Sequence, residues 1–355
     1  MRIKRYKKKS ALFFALLLIV SVFGNAFAAE ETVLFTDSLG RTVECPKEID
    51  RVAATGQMAQ IMLFALCPDK LAGIANPWDA CAADMIEPKY LSLPVLGQLY
   101  GGKGEVNLET LILSGADIVI DVGEPKGSIG EDLDALGEQT GIPFIHITAD
   151  VRSFGDAFRK LGELVGMREE AETLASYCER VYSETCALAE NASKVRMLYI
   201  PGEDGLSVIA KDSYHSGIID LFAANAAVVD APSAKGTGNA VDFEQLLIWD
   251  PEVIVFAPDT VYGTVGMDPL WQSLSAISNG RYYEVPETPY NWLGFPPSVQ
   301  CVLGMQWLTK LLYPEAMQDV DMNAVVKEFY SLFFHSELSD EQVSAFLERS
   351  VGKVQ

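Results

Sequence analysis

Apolar and polar positions follow one pattern twice along this chain. Residues 106–120 and 241–255 align without a gap. Each runs from a small polar residue through an apolar one to a glutamate, then helix-spaced apolar residues, a breaker, an acid and a β-branched run. Asn107 and Asp242 are good N-caps, because a side-chain oxygen can accept from the orphan N–H groups of a first turn. Glu109 and Glu244 fall in those first turns, where the helix dipole favours negative charge. Leu108, Leu111 and Ile112 recur at helical spacing, as do Phe243, Leu246 and Leu247. Gly115 permits a left-handed ending, and Pro251 refuses to continue a helix. Ile118-Val119-Ile120 and Val253-Ile254-Val255 are apolar on both sides, as in a parallel strand covered on both faces. Each stretch predicts a helix followed by a buried strand, and two copies predict two α/β lobes of related construction.

The remaining pattern fills in both lobes. Residues 33–35 and 42–44 predict a hairpin around Asp37–Arg41. Strands are predicted over 51–54, 71–74 and 143–147, with helices over 57–66 and 130–140. From 153 to 192 there is no strand signal: one helix ends near Gly166 and a longer one follows, which reads as a stiff strut. The second lobe opens with strands over 195–200 and 206–209. Its later helices are expected over 269–276, 298–312, 322–334 and 339–349, with a strand over 281–285. The division is therefore residues 1–28 as a targeting segment, 29–150 as the first lobe, 151–193 as the connector and 194–355 as the second lobe.

Charge sharpens the first segment. Arg2, Lys4, Arg5, Lys7, Lys8 and Lys9 precede an apolar run too short to span a bilayer, and Ala26-Phe27-Ala28 offers a cleavage site before Ala29. No cysteine stands where a lipid anchor would be attached. Removing six basic residues and no acidic one takes the net charge from −22 to about −28. Such acidity excludes nucleic acid and anionic lipid as natural partners. All six cysteines lie in the exported part without a zinc spacing. Buried free thiols are the general expectation, with Cys67–Cys81 the pair to test as a disulfide.

The chain carries no nucleophile elbow, phosphate-binding loop, dinucleotide turn or HExxH, so no catalytic constellation is expected. Its three histidines are scattered, which speaks against a bare-metal site. What stands out is a set of aromatics assigned to loops: Trp78, Tyr100, Tyr214, Tyr262, Trp271, Tyr290 and Trp292. They either cover the hydrophobic cores or wall a cleft for a flat or bulky ligand. The two glutamates either serve their helix dipoles or share a function; their matched placement favours the second.

These motifs together resemble the periplasmic binding proteins of ABC importers for iron–siderophore, haem and corrinoid complexes. The resemblance rests on Asp37–Arg41 with Pro46, Asn107-Leu108-Glu109 with 116–120, and 243–254. It extends through Arg281–Pro286, Gly304–Leu308 and Leu311–Glu315. It implies two α/β lobes joined by a long rigid helix, with a ligand cleft between them and no enzymatic activity. It implies docking of Glu109 and Glu244 on arginines of the membrane permease. The expected partners are the permease subunits and one small metal chelate. The chain itself is expected to be an extracytoplasmic monomer that meets the membrane only through the permease. The ligand-binding candidates are Trp78, Tyr100, Tyr214, His215, Trp271, Tyr290 and Trp292. Were the chelate haem, Tyr100 and His215 would be the candidate iron ligands; otherwise no metal is held directly and no cofactor is required. An exported chelatase-like enzyme of the same architecture is the competing class.

Overall fold

The computed structural model describes residues 31–100, 105–295 and 297–350. The predicted targeting segment lies outside them. The first element is a hairpin of β1 (Thr32–Thr36) and β2 (Thr42–Pro46). Its turn is built on the buried carboxylate of Asp37, which accepts from the backbone N–H of Leu39 and Arg41 at 2.9 and 3.0 Å. The Arg41 guanidinium closes on the same carboxylate at 2.7 Å.

The first lobe then runs β3 (Val52–Ala54), α1 (Gln57–Leu66), β4 (Leu71–Gly73), α2 (Leu108–Ser114), β5 (Ile118–Gly123), α3 (Ile129–Thr140) and β6 (Phe144–Thr148). Its strands are all parallel in the order β4-β3-β5-β6. Two helices follow, α4 (Phe154–Val165) and α5 (Arg168–Asn191). The predicted strut is thus two packed helices broken at Gly166, which takes φ 74° at the C-cap of α4.

The second lobe comprises β7 (Arg196–Ile200), β8 (Ser207–Val208), α6 (Gly217–Phe222), β9 (Ala224–Asn225), β10 (Asn239–Ala240), α7 (Phe243–Trp249), β11 (Val253–Phe256) and β12 (Tyr282–Glu284). Its parallel sheet reads β9-β7-β11-β12. That is the strand order of the first lobe with β7 for β3 and β11 for β5. The duplication inferred from two stretches therefore extends to the whole sheet.

Three helices complete the chain: α8 (Cys301–Leu312), α9 (Met322–Phe334) and α10 (Asp340–Leu347). Two of them reach beyond the second lobe. Helix α9 packs on α1 of the first lobe, and α8 packs on α5. The His335 ring nitrogen Nε2 lies 3.1 Å from the Phe64 carbonyl oxygen. Helix α8 runs so close to residue 292 that a Cβ on Gly304 would lie 1.8 Å from the Trp292 carbonyl oxygen. One buried cluster consequently joins residues of β3, α1, both connector helices, β7 and the C-terminal helices. A shared core of this kind resists large hinge motion, because opening it exposes apolar area to water.

Two expected helices differ in the structure. The one over 269–276 is broken: a short 3-10 turn at Trp271–Ser273 and a helical turn at Ser275–Ser278 meet at Leu274, whose ψ of 134° is extended. The one over 298–312 starts at Cys301, after a turn through Ser298. The cysteines are free thiols, Cys67 buried and Cys81 exposed, so the Cys67–Cys81 pairing is not formed.

Candidate functional site

The two matched helices agree position by position. From Val106 to Ser114 and from Val241 to Trp249, exposed, half-buried and buried residues alternate in the same order at every step. Asn107 accepts from the Thr110 N–H at 3.0 Å and Asp242 from the Gln245 N–H at 2.8 Å, so both caps form as the sequence predicts. Both helices end in a left-handed residue: Gly115 at φ 65° and Asp250, ahead of Pro251, at φ 35°. The strain at Asp250 is offset by its carboxylate, which accepts from Ser275 N–H and Oγ at 2.8 and 2.7 Å. Glu109 and Glu244 are exposed.

A cavity of about 670 Å³ lies between the lobes. Its first-lobe wall stands where the parallel sheet changes direction, between the carboxyl ends of β3 and β5, the position at which open α/β sheets gather ligands. Gln57 begins α1 there, Asn76 follows β4, and Asp121 is a buried residue of β5 two positions before its end. Their side chains form an amide floor. Gln98 donates to Asn76 Oδ1 at 2.8 Å, and Asn76 donates to Gln57 Oε1 at 2.9 Å. Asp121 is held beneath, accepting from Thr55 Oγ1 at 2.6 Å and lying 2.7 Å from His146 Nδ1. His146 is therefore a buried structural residue, as its strand position suggests.

The second-lobe wall is aromatic. His215 stacks on Phe295 at 5.0 Å between centroids, and Phe295 in turn lies 4.9 Å from Tyr199. Tyr214 meets His215 edge-on and receives the ammonium of Lys126, from the first lobe, 5.1 Å from its ring centroid. Burial, and then the nearby Lys126 charge, hold the His215 imidazole below its usual pKa, so it is neutral at pH 7. Burial and a hydrogen bond donated to Asp132 push the Tyr100 phenol up and keep it protonated. An adjoining space of about 150 Å³ reaches Arg152 and Cys301.

Of the seven aromatic and histidine candidates, Tyr100, Tyr214 and His215 line this cavity, the first from one lobe and the other two from the second. The other four are placed elsewhere. Trp271 is buried in the second lobe's own core against Phe243 and Phe256. Trp292 is fully buried under α8. Tyr290 is buried beside Trp78, whose indole N–H donates to the Tyr90 carbonyl at 3.2 Å. Aromatic rings remove on the order of 150–250 Å² each from water, which explains why three of the four lie inside the cores and Trp78 packs, half-buried, against one. Gln57, Asn76, Gln98, Asp121, Lys126 and Phe295 were missed by sequence reasoning. Five of these come from the first lobe, where the strand-end rule would have found them, and Phe295 lies in the loop that follows β12. Among the described residues no cluster of three or more His, Cys, Asp or Glu is arranged to hold a metal ion. No described helix is long and apolar enough to cross a membrane.

Comparison with known proteins agrees with this architecture. A family model described as periplasmic binding protein matches residues 92–289. The molybdate-binding protein MolA of Haemophilus influenzae is 25% identical over 95% of this chain and 99% of its own length. An ABC transporter solute binding protein from Sulfurospirillum deleyianum superposes with a TM-score of 0.80 at 26% identity, covering 89% of this chain and 99% of its own. A periplasmic solute binding protein from Veillonella parvula superposes with a TM-score of 0.73 at 23% identity over 90% and 98%.

Proposed function

Because this chain belongs to the periplasmic binding protein family, we propose that its interlobe cavity captures a metal chelate for an ABC importer. The chain is the substrate-binding component of such an importer and is not an enzyme. It binds a small molecule and delivers it to the permease subunits. In this reading the basic and apolar segment over 1–28 is an export signal, and Glu109 and Glu244 dock on basic residues of the permease.

The chelate reading rests on the size and chemistry of the cavity. Its 670 Å³ falls within the roughly 300–1,000 Å³ typical of drug-sized ligands. Its walls offer amides on one side and stacked rings on the other. Among the described lining side chains only Lys126 carries a fixed positive charge, beside the carboxylates of Asp121 and Glu124 on the same lobe. That balance suits a ligand of low net charge. A ferric siderophore fits this description first. Haem and a corrinoid are the alternatives, and haem would place iron between Tyr100 and the neutral imidazole of His215.

A second reading is a free oxyanion, favoured by the full-length similarity to a molybdate-binding protein. An oxyanion would fill only a few water volumes of about 30 Å³ each, and one lysine would have to neutralise it. The test is titration of the purified mature chain with haemin, cobalamin, a ferric trihydroxamate, which is uncharged at its metal centre, and molybdate, followed by absorption, tryptophan fluorescence and calorimetry. A Soret shift altered by His215→Ala or Tyr100→Ala supports haem. Quenching by the trihydroxamate or cobalamin alone supports a chelate held by the walls. Heat from molybdate with silence from all three chelates overturns the chelate reading.

A further inference from the structure

We infer that each permease-docking helix carries an exposed aliphatic pair as well as a glutamate, and that these pairs insert into two equivalent apolar pockets of the permease. The inference rests on the docking reading above. Ile112 and Leu113 are 50% and 78% exposed, and Leu247 and Ile248 are 40% and 74% exposed. Four large aliphatic side chains in water would be unremarkable if scattered. These occupy matched positions of the repeated unit, two on each lobe.

Helical spacing brings them beside the acids. Ile112 and Leu113 stand three and four residues after Glu109; Leu247 and Ile248 stand three and four after Glu244. Residues so spaced share one face of a helix. Each lobe therefore presents the same stripe, one carboxylate followed by two aliphatic groups. Leu111 and Leu246, one position earlier than the pairs, are buried and anchor the opposite face. The cores thus need the inward leucine and leave the outward pair unaccounted for.

The occupant follows from this arrangement. Two like patches on two lobes of one chain fit a partner that repeats its own surface by a two-fold axis, as a pair of permease subunits does. The carboxylates call for basic groups at the rim of each pocket, and the aliphatic pairs call for a dry centre, the division of labour common at protein interfaces. The glutamates then orient the encounter, while the pairs set how long the complex lasts.

The experiment uses the mature chain and the transmembrane permease dimer of its importer in lipid nanodiscs, with binding followed by interferometry. Leu113→Ser with Ile248→Ser is compared with Glu109→Gln with Glu244→Gln. Both positions of the first pair are well exposed, so the fold and ligand affinity are expected to persist. The serine variant is expected to bind at least about tenfold more weakly, mainly through faster dissociation. That deficit should persist at high salt, where the glutamine variant's deficit fades. Loss with the glutamine variant alone overturns this inference and leaves the docking reading intact. No loss with either variant overturns both. A concentration-dependent dimer of the chain that the serine variant dissociates, with permease binding unchanged, assigns the stripes to a second copy and also overturns the inference.

Discussion

Arg51 and Arg196 perform the same task in the two lobes. Arg51 donates through Nε, at 3.1 Å, to the carbonyl of Ser114, and Arg196 donates through Nη2 to the carbonyl of Trp249. Those carbonyls belong to the last residues of α2 and α7. The backbone of each arginine also pairs with an acid just beyond its helix. Asp117 N–H donates to the Arg51 carbonyl at 2.8 Å, and Glu252 N–H donates to the Arg196 carbonyl at 2.9 Å. The carboxylates answer by accepting from the arginine N–H groups, at 2.8 and 3.0 Å. Each exposed helix is thus fastened to the start of its sheet by one arginine and one acid. This fixes the seating of the helices that carry Glu109 and Glu244.

Removing either clasp should cost similar stability. Arg51→Ala and Arg196→Ala should each lower the unfolding free energy by about 1–2 kcal/mol, the usual range for a hydrogen bond from a charged group in a partly exposed setting. Lysine should restore little of it, since an ammonium lacks the planar guanidinium fork. Urea denaturation of the single variants measures this. A loss confined to one lobe's arginine would show that the clasps are not equivalent.

Much of the fold was legible because buried parallel strands and capped helices leave strong local signals. Asn107 and Asp242 announced their helices, and the apolar runs at 118–120 and 253–255 announced the sheet centres. Phe64 and His335 illustrate what was not legible. Their contact depends on the last helices crossing back to the first lobe, and no local pattern encodes a contact across 271 residues. The cavity was half legible for the same reason. Tyr214 and His215 stand out by residue type in a loop, whereas Trp271 and Trp292 have the same kind of signal and serve as core. Aromatic identity alone does not say which side of a loop faces water.

The matched glutamates yield a functional prediction of their own. Reversing both, Glu109→Arg with Glu244→Arg, should abolish uptake by cells while ligand affinity stays within about twofold, because both acids lie on exposed helices away from the cavity lining. Either single reversal should retain part of the uptake and make it more sensitive to salt. A fall in ligand affinity in the double variant would show that these helices report to the cavity rather than to the permease.

His215 offers a test of the cavity's electrostatics. Its pKa is lowered by burial first and by Lys126 second. The neutral imidazole should therefore persist to a more acidic pH than a free histidine allows. Lys126→Met removes the second cause and should move the His215 titration part of the way back up, as followed by NMR of the ring protons. The same change takes away the cation that rests on Tyr214 across the lobes, an interaction of about 0.5–1 kcal/mol at such a site. An unmoved titration would mean that burial alone sets the state of the imidazole.

Glu287 ties stability to pH. Its carboxyl is pushed up to about 7, by burial first and then by the charges of Asp79, Asp259 and Glu284. Glu284 is itself bound to Arg349 at 3.2 Å, so part of the local charge is already neutralised. An unfolded glutamate titrates near 4.3, as in model peptides. Between those two values the folded chain holds the proton that the unfolded chain has lost, so stability falls as pH rises. The contribution is fully present below the unfolded pKa and is gone once pH has passed through about 7. Glu287→Gln keeps the neutral form at every pH. Its melting temperature should match that of the natural chain near pH 4 and rise above it progressively to about pH 8. A gap of constant size across that range would refute the titration and leave only a packing effect of the amide.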